Sequence, residues 1–344
     1  NEFSTSKNSI YNNKLEVAFA KQFNAKYAIG HCNGTATLHV ALMACGIKAG
    51  DEVIVTELEH HSNLIPWMNV CKKKGATLKY VPLTEDGRIT VENFKSVISS
   101  KTKVVAINHV SNVMGYIAPI KEIVEIAHQY GAVVSVDGAQ AIPHMKVDVK
   151  ELGCDFYSFS GHKMCGPTGV GVLYGKKEIL DKMEPIEFGG DMADEVFKNY
   201  ATYKDTPYKF ETGTPIIAEA IALAEACLYL NEVGYDYISK HEHELKELAL
   251  KELLKIDGIE IYNPTCETGI ITFNVAGVHP HDAASVFDKN DVCIRAGHHC
   301  AQPITHFLGQ MSTIRASFYF YNDAEDVRKF VETVKEAVEF FGQF

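Results

Sequence analysis

The sequence predicts an α/β protein: a mainly parallel sheet flanked by helices, with a smaller α+β C-terminal lobe. Two observations predict it. Over the first two-thirds of the 344 residues, apolar runs of strand length alternate with helix-period stretches, the pattern of βαβ units. Beyond about residue 225 this alternation gives way to a long helical stretch, short strands and a closing amphipathic helix. Strands are expected in order at 52–56, 77–82, 104–109, 133–137, 156–160 and 169–174, with helices at 35–45, 63–74 and 120–130. A helical stretch through 254 then leads to strands at 259–262 and 270–274, a helix near 282–288 and strands at 292–295 and 313–319. The last helix, 324–341, carries Val327, Phe330, Val331, Val334 and Val338 as an apolar stripe. The expected division is a large domain over 15–225 and a small α+β domain over 226–344, joined by 1–14.

Composition narrows the function. A formal net charge of −11 argues against a nucleic-acid face, which needs clustered Lys and Arg. The run Lys72, Lys73 and Lys74 reads as the solvated end of a helix. No apolar run reaches the roughly 20 residues of a membrane span. The polar start NEFSTSKNSIYNNK lacks the apolar core of a signal peptide, so a cytoplasmic location is expected. Nine cysteines without a CxxC pair read as reduced thiols, mostly buried.

Ligands of open parallel sheets bind outside the carboxyl ends of the strands. Polar clusters fall there: His60-His61, 109–112, 137–140 and 160–163. SGHKMCGPTGVG (160–171) sets Lys163 in a turn before a glycine-rich segment, and VDGAQ (136–140) sets Asp137 at a strand end. Alone, each has an ordinary explanation, a surface lysine and a turn cap. Together they match the needs of a pyridoxal phosphate (PLP) enzyme: a lysine for a Schiff base, a carboxylate for the pyridine nitrogen, and phosphate donors. Asn33-Gly34-Thr35-Ala36-Thr37 opens a helix whose N-terminus suits an anion. Ser160 and His162 could complete the phosphate cup, and His60 could stack on the ring.

The stretch RAGHHCAQP (295–303) leaves two readings. His298, His299 and Cys300 could hold a metal, or Cys300 could be a nucleophile beside Arg295. Three consecutive ligands rarely wrap a tetrahedral ion, since structural zinc sites space theirs by about two to four residues. No metal is expected, and a zinc-binding scaffold is disfavoured.

The segments ELEHHSNLIPW (57–67), HVSNVMG (109–115), VDGAQA (136–141), SGHKMCGPTG (160–169), FETGTP (210–215), RAGHHCAQP and RASFYFYN (315–322) resemble, in order and spacing, the SufS-type (group II) cysteine desulfurases. These belong to the class V aminotransferase superfamily, and the resemblance is nearest to Gram-positive members. It implies a fold type I PLP-dependent transferase with a seven-stranded sheet, acting as a homodimer. By matching position, Lys163 would carry the cofactor, Asp137 would meet its ring nitrogen, Gln140 its phenolic oxygen and His60 its ring face. Thr35, Ala36, Ser160 and His162 would line the phosphate, with Gly213 and Thr214 reaching it from the neighbouring subunit. Arg315 and Asn112 would hold the substrate carboxylate. Cys300 would accept the sulfur of L-cysteine, with Arg295 and a protonated histidine favouring its thiolate. The resulting persulfide would pass to an acceptor of the SufU or SufE type for iron-sulfur cluster assembly, with His281 at the matching contact.

The stretch 19–55 looks closer to DegT-type sugar aminotransferases, also PLP enzymes. Ala36 stands where desulfurases carry a second threonine, and 33 residues precede Gly34, a shorter lead than the group II enzymes have. The alternatives are selenocysteine lyase activity at the same site, or transamination, which needs no nucleophilic cysteine.

Overall fold

The computed structural model describes residues 46–343 and the backbone of 29–31. The expected helix at 35–45, with Thr35 and Ala36, lies outside the described residues. Strands β1 (Ile29–His31), β2 (Glu52–Thr56), β3 (Thr77–Val81), β4 (Thr102–Asn108), β5 (Val133–Asp137), β6 (Phe156–Ser160) and β7 (Gly171–Gly175) form one sheet in the order β1-β7-β6-β5-β4-β2-β3. Strands β2 to β6 run parallel, and β7 is antiparallel to both β6 and β1.

Strands buried on both faces read as continuous apolar runs, and here they feed two cores alternately. Val53, Val55, Val104, Ala106 and Phe156 pack with Leu64, Trp67 and Cys71 of α1 (His61–Lys74). Ile54, Val105, Ile107, Val134 and Tyr157 face the other way, toward α2 (Ile120–Gln129) and α3 (Ile217–Val233). Helix α1 ends with Lys72, Lys73 and Lys74 in its last turn and Gly75 in a left-handed cap whose N–H donates to Cys71 O. Cations and a glycine at that end satisfy the helix dipole and its free carbonyls.

A separate hairpin pairs β8 (Ala193–Val196) with β9 (Ala201–Tyr203). The smaller sheet is antiparallel and ordered β10-β11-β13-β12, from β10 (Ile259–Ile261), β11 (Ile270–Val275), β12 (Arg295–Gly297) and β13 (Thr313–Ser317). Helices α4 (Tyr235–Leu253), α5 (Pro280–Lys289) and α6 (Ala324–Phe341) bury its Ile271, Phe273, Ile314 and Ala316. The apolar stripe of α6 lies in this core through Val327, Phe330, Val331 and Val334.

The helical stretch ending at 254 is two helices, because Gly234 breaks it with φ 89°. Helix α3 runs unbroken through residue 225, and its Leu223, Ala226, Cys227 and Leu230 belong to the large-lobe core. The strand expected at 292–295 begins only at Arg295. Asp291 takes a left-handed φ of 54°, and the Val292 N–H closes α5 by donating to Phe287 O, so neither is available to the sheet.

One short strap carries a run of contacts between the lobes. Asn112 O accepts from Arg315 Nη1 (2.7 Å), Val113 O from Thr272 Oγ1, Met114 O from Asn263 Nδ2 (3.0 Å) and Gly115 O from Thr268 Oγ1 (3.1 Å). Four consecutive carbonyls of the large lobe thus take donors from the small one. Gly115 is required in this contact: its φ is +64°, and a Cβ there would lie 2.6 Å from Thr268 Oγ1 and 3.3 Å from Cys266 and Ile270. Gly115→Ala is expected to cost about 2 kcal/mol or more through backbone strain and the clash. A lower urea midpoint at unchanged slope would show this, and an unshifted midpoint would mean the lobes pack less closely here.

Candidate active site

The carboxyl ends of β2, β4, β5 and β6 frame the site. The turn after β2 is organised by Glu59, whose fully buried carboxyl accepts from Thr56 Oγ1 (2.7 Å), Asn63 Nδ2 (2.7 Å) and Asn108 N (3.1 Å). Burial pushes this carboxyl up to about 8 against those hydrogen bonds, with the Asp137 carboxylate adding to the rise. Asn63 Oδ1 is buried without a partner. Exchanging the amide's O and N supplies an acceptor for the Glu59 proton.

His60 follows as the N-cap of α1, its Nδ1 accepting from Ser62 N at 3.1 Å. The neutral ring therefore carries its proton on Nε2. Burial, then Lys163, His61, Arg295 and Arg315, hold it down to about 4. A neutral imidazole suits a stacking role better than a cation does.

Asp137 ends β5 and Lys163 closes the single 3-10 turn Gly161–Lys163 after β6. Gly138 lies flat on the Tyr157 ring, where a Cβ would come within 1.9 Å. The Tyr157 hydroxyl is in turn 2.8 Å from His109 Nδ1. Burial pushes Asp137 upward, opposed by Lys163 and by the Ala139 N–H at 3.0 Å. Burial lowers the Lys163 amine, opposed by Asp137 and reinforced by Arg315 and Arg295. Lys163 also feels Cys300, so groups from both lobes share one space.

The small lobe brings Arg315 on β13 and Arg295 on β12, which stand opposite each other in the ladder. Burial, then Arg295, holds Arg315 down to about 10. Arg295 Nη2 donates to Cys300 Sγ at 3.3 Å. Asn112 Nδ2 donates to His299 O at 2.8 Å, while Asn112 Oδ1 and Arg315 Nε are buried without partners.

The expectation that a protonated histidine assists the thiol is corrected for His299. Its ring is buried, its Nε2 is 2.9 Å from Thr313 Oγ1, and burial with Arg315 and Arg295 nearby pushes it down to about 3. The cation at the thiol is Arg295. Among the described residues, no three His, Cys, Asp or Glu side chains are grouped as a metal site.

Gln140 and Ser160 are half-buried beside Asp137 and Lys163, while His162 is exposed. Gly213 and Thr214 are not drawn into this cluster: Gly213 N donates to Gly190 O, Thr212 Oγ1 to Glu187 O, and Thr214 is exposed. Of the described cysteines, Cys71, Cys154, Cys227 and Cys266 are buried, Cys165 and Cys293 exposed, and Cys300 half-exposed. Sequence reasoning missed Glu59, His61 and Tyr157. The adjacent EHH of 59–61 was the available signal for the first two.

Residues 3–330 match the family described as Aminotransferase class-V. The chain belongs to this family. The matched span includes 19–55. Among class-V relatives, a "Probable cysteine desulfurase" of Halalkalibacterium halodurans is 56% identical over 293 residues, covering 85% of this chain and 72% of that one. Another of that name from Staphylococcus aureus (strain COL) is 53% identical over 339 residues, covering 96% and 82%. The apo structure of a cysteine desulfurase from Thermococcus onnurineus NA1 superposes with a TM-score of 0.92 at 35% identity, over 96% of this chain and 85% of that one. The α/β architecture, a mostly parallel sheet between helices, is the fold type I arrangement of these neighbours. No helix among the described residues is long and apolar enough to cross a membrane.

Glu59 gives the site a pH signature. The unfolded carboxyl releases its proton near 4.5 and the folded one near about 8, so between these values the folded state holds the extra proton. Stability must therefore fall as pH rises through that window. Glu59→Gln, which cannot ionise, should flatten the fall in urea midpoint; an equally steep fall in the variant would assign it to other groups.

Proposed function

We propose that this protein is a PLP-dependent cysteine desulfurase of the SufS type, converting L-cysteine to L-alanine and leaving a persulfide on Cys300. The observation that carries the reading is the meeting of Lys163 and Asp137 from one lobe with Arg315 and an arginine-bonded Cys300 from the other.

The pocket fits PLP on its own chemistry. Asp137 is a buried carboxylate whose described hydrogen bond comes from Ala139 N alone, the partner a pyridinium nitrogen needs. Lys163 is an amine of lowered basicity within electrostatic reach of it, and Gly138, where a Cβ would come within 1.9 Å of the Tyr157 ring, lets the backbone after Asp137 pass close to that ring. When bound, PLP supplies an electron sink for the carbon bearing the amino group. Lys163 would hold it, Asp137 would keep its ring nitrogen protonated, and His60 would cover its face. Gln140, Ser160, His162 and, beyond the described residues, Thr35 and Ala36 would hold its oxygens.

Arg315, with Asn112 beside it, would bind the substrate carboxylate and aim the substrate sulfur at Cys300. The unpartnered Arg315 Nε–H is a donor that such a carboxylate would engage, while the unpartnered Asn112 Oδ1 can accept only from a substrate N–H. The Lys163 amine, held below its ordinary value, can take up the α-proton. The Cys300 thiolate attacks the substrate sulfur. An S–S bond forms, the Cβ–S bond breaks with its electron pair left on carbon, and that carbon takes a proton to become the methyl of alanine.

The finer parts of the reading rest on the family resemblance. They are a homodimer in which Gly213 and Thr214 serve the neighbouring site, a cytoplasmic SufU- or SufE-type acceptor for iron-sulfur assembly, and His281 as its contact. His281 is exposed at the start of α5. Its Nε2 lies 3.7 Å from where a Cβ on Gly297 would stand, adjoining the Cys300 loop.

The test is alanine and sulfide release from L-cysteine under reductant, with the visible spectrum recorded. Lys163→Ala should lose turnover. Cys300→Ala should keep the chromophore and lose about 100-fold or more in alanine formation. No alanine from PLP-loaded wild type overturns the proposal, and full transamination with Cys300→Ala would favour an aminotransferase.

A further inference from the structure

His299 and Cys300 are consecutive non-glycine residues in left-handed backbone conformations, φ 54° and 56°. Side chains with a Cβ resist that region, and such a pair persists only where its surroundings hold it. His299 is held by Asn112 Nδ2 on its carbonyl (2.8 Å) and by Thr313 on its ring (2.9 Å). The backbone beyond it is held from the large lobe by His61. The His61 N–H donates to Cys300 O at 2.6 Å, and its ring Nε2 accepts the Gln302 N–H at 3.1 Å. One residue thus grips the chain on both sides of Ala301.

We propose that His61 is a positioning residue for the nucleophile: its ring nitrogen, as a hydrogen-bond acceptor, fixes the strained Cys300 turn to the large lobe. The inference rests on the desulfurase reading for its purpose, though not for its geometry. A ring whose Nε2 accepts must carry its proton on Nδ1, so only the neutral form can hold Gln302. The titratable groups facing it are His60, whose ring centroid is 6.5 Å away on the same turn, and His298 and Cys300 on the loop it grips. Burial, then His298, lowers the ring from its ordinary value, which keeps it neutral and gripping at neutral pH. Acid adds a proton at Nε2, turns the acceptor into a donor and releases Gln302. The backbone bond to Cys300 O remains, so the turn loosens without coming undone.

The role differs from that assigned to His60. His60 is the residue proposed to cover the cofactor, whereas the described hydrogen bonds of His61 to the other lobe go to the loop, at Cys300 O and Gln302 N. Loss of His61 should therefore lower the rate of sulfur transfer and leave cofactor loading and substrate affinity in place.

The experiment compares PLP-loaded wild type, His61→Ala and His61→Gln by hydrogen–deuterium exchange across 298–304, by kcat and KM for alanine formation, and by cofactor absorbance. His61→Ala should exchange about tenfold faster in this segment and lose about tenfold in kcat, with KM changed less than about twofold and absorbance unchanged. His61→Gln, which offers an oxygen near the position of Nε2, should restore protection and most of kcat. Its activity relative to wild type should rise as pH falls through the titration of His61, because an amide does not protonate. Wild-type exchange and kcat in His61→Ala would overturn the proposal. So would a His61→Gln protein no better than His61→Ala, which would assign the effect to ring bulk. If His61→Ala does not fold, the pH comparison of His61→Gln with wild type decides. Wild type that makes no alanine would sink the desulfurase reading, while exchange at 298–304, which needs no turnover, still tests the grip.

Discussion

Buried peptide carbonyls must find donors, and the strap from Asn112 to Gly115 finds its donors on the other lobe. Arg315, Thr272, Asn263 and Thr268 each supply one. Apolar packing alone would tolerate small sliding between two lobes, but hydrogen bonds of 2.7 to 3.1 Å do not. Because Lys163 and Asp137 belong to one lobe and Arg315 and Cys300 to the other, this seam fixes the distance across which the proposed chemistry works. The residue that opens the strap, Asn112, also grips the His299 carbonyl, so the seam and the nucleophile loop share a member.

The charges follow from the same arrangement. Glu59 and Asp137 are buried and Lys163 and Arg315 half-buried, and desolvation is the largest influence on each. The carboxyls move up, and the amine and guanidinium move down, as desolvation requires. Glu59, pushed up to about 8, retains its proton at neutral pH, whereas the rise at Asp137 is opposed by Lys163 and the Ala139 N–H. Two carboxyls close enough to feel one another therefore meet different neighbours, one a set of neutral hydrogen-bond donors and the other a lysine amine.

Much of the large lobe was legible in the sequence because its strands are buried on both faces and end in polar residues. Apolar runs marked β2, β4, β5 and β6, and the first polar residues beyond them were Asp137 and the turn of Lys163. The small lobe was legible as a list of elements but less so at its joints, where single backbone conformations decide. Gly234 and Asp291 ended elements that apolar patterning would have continued. Cys300 was visible with Arg295 beside it, as the structure has them, whereas the histidine suggested by adjacency was not: His299 turns to Thr313 and Arg295 alone donates to the sulfur among the described hydrogen bonds. The bond of Glu59 to Asn108 and that of Thr272 to Val113 were beyond reach, since these partners lie 49 and 159 residues away.

The opposition of Arg295 and Arg315 across the β12–β13 ladder has a cost that Cys300 offsets only in part. Like charges facing each other on adjacent strands repel, and the lowered Arg315 registers that repulsion. In a chain of net charge −11, the pair concentrates positive charge at one place. An anion is drawn to that place against the net charge of the chain. An amino acid approaching as a zwitterion is oriented there before it is bound, carboxylate leading. Bulk salt, by screening the pair and the net charge together, should blur that choice of direction more than it weakens the final grip.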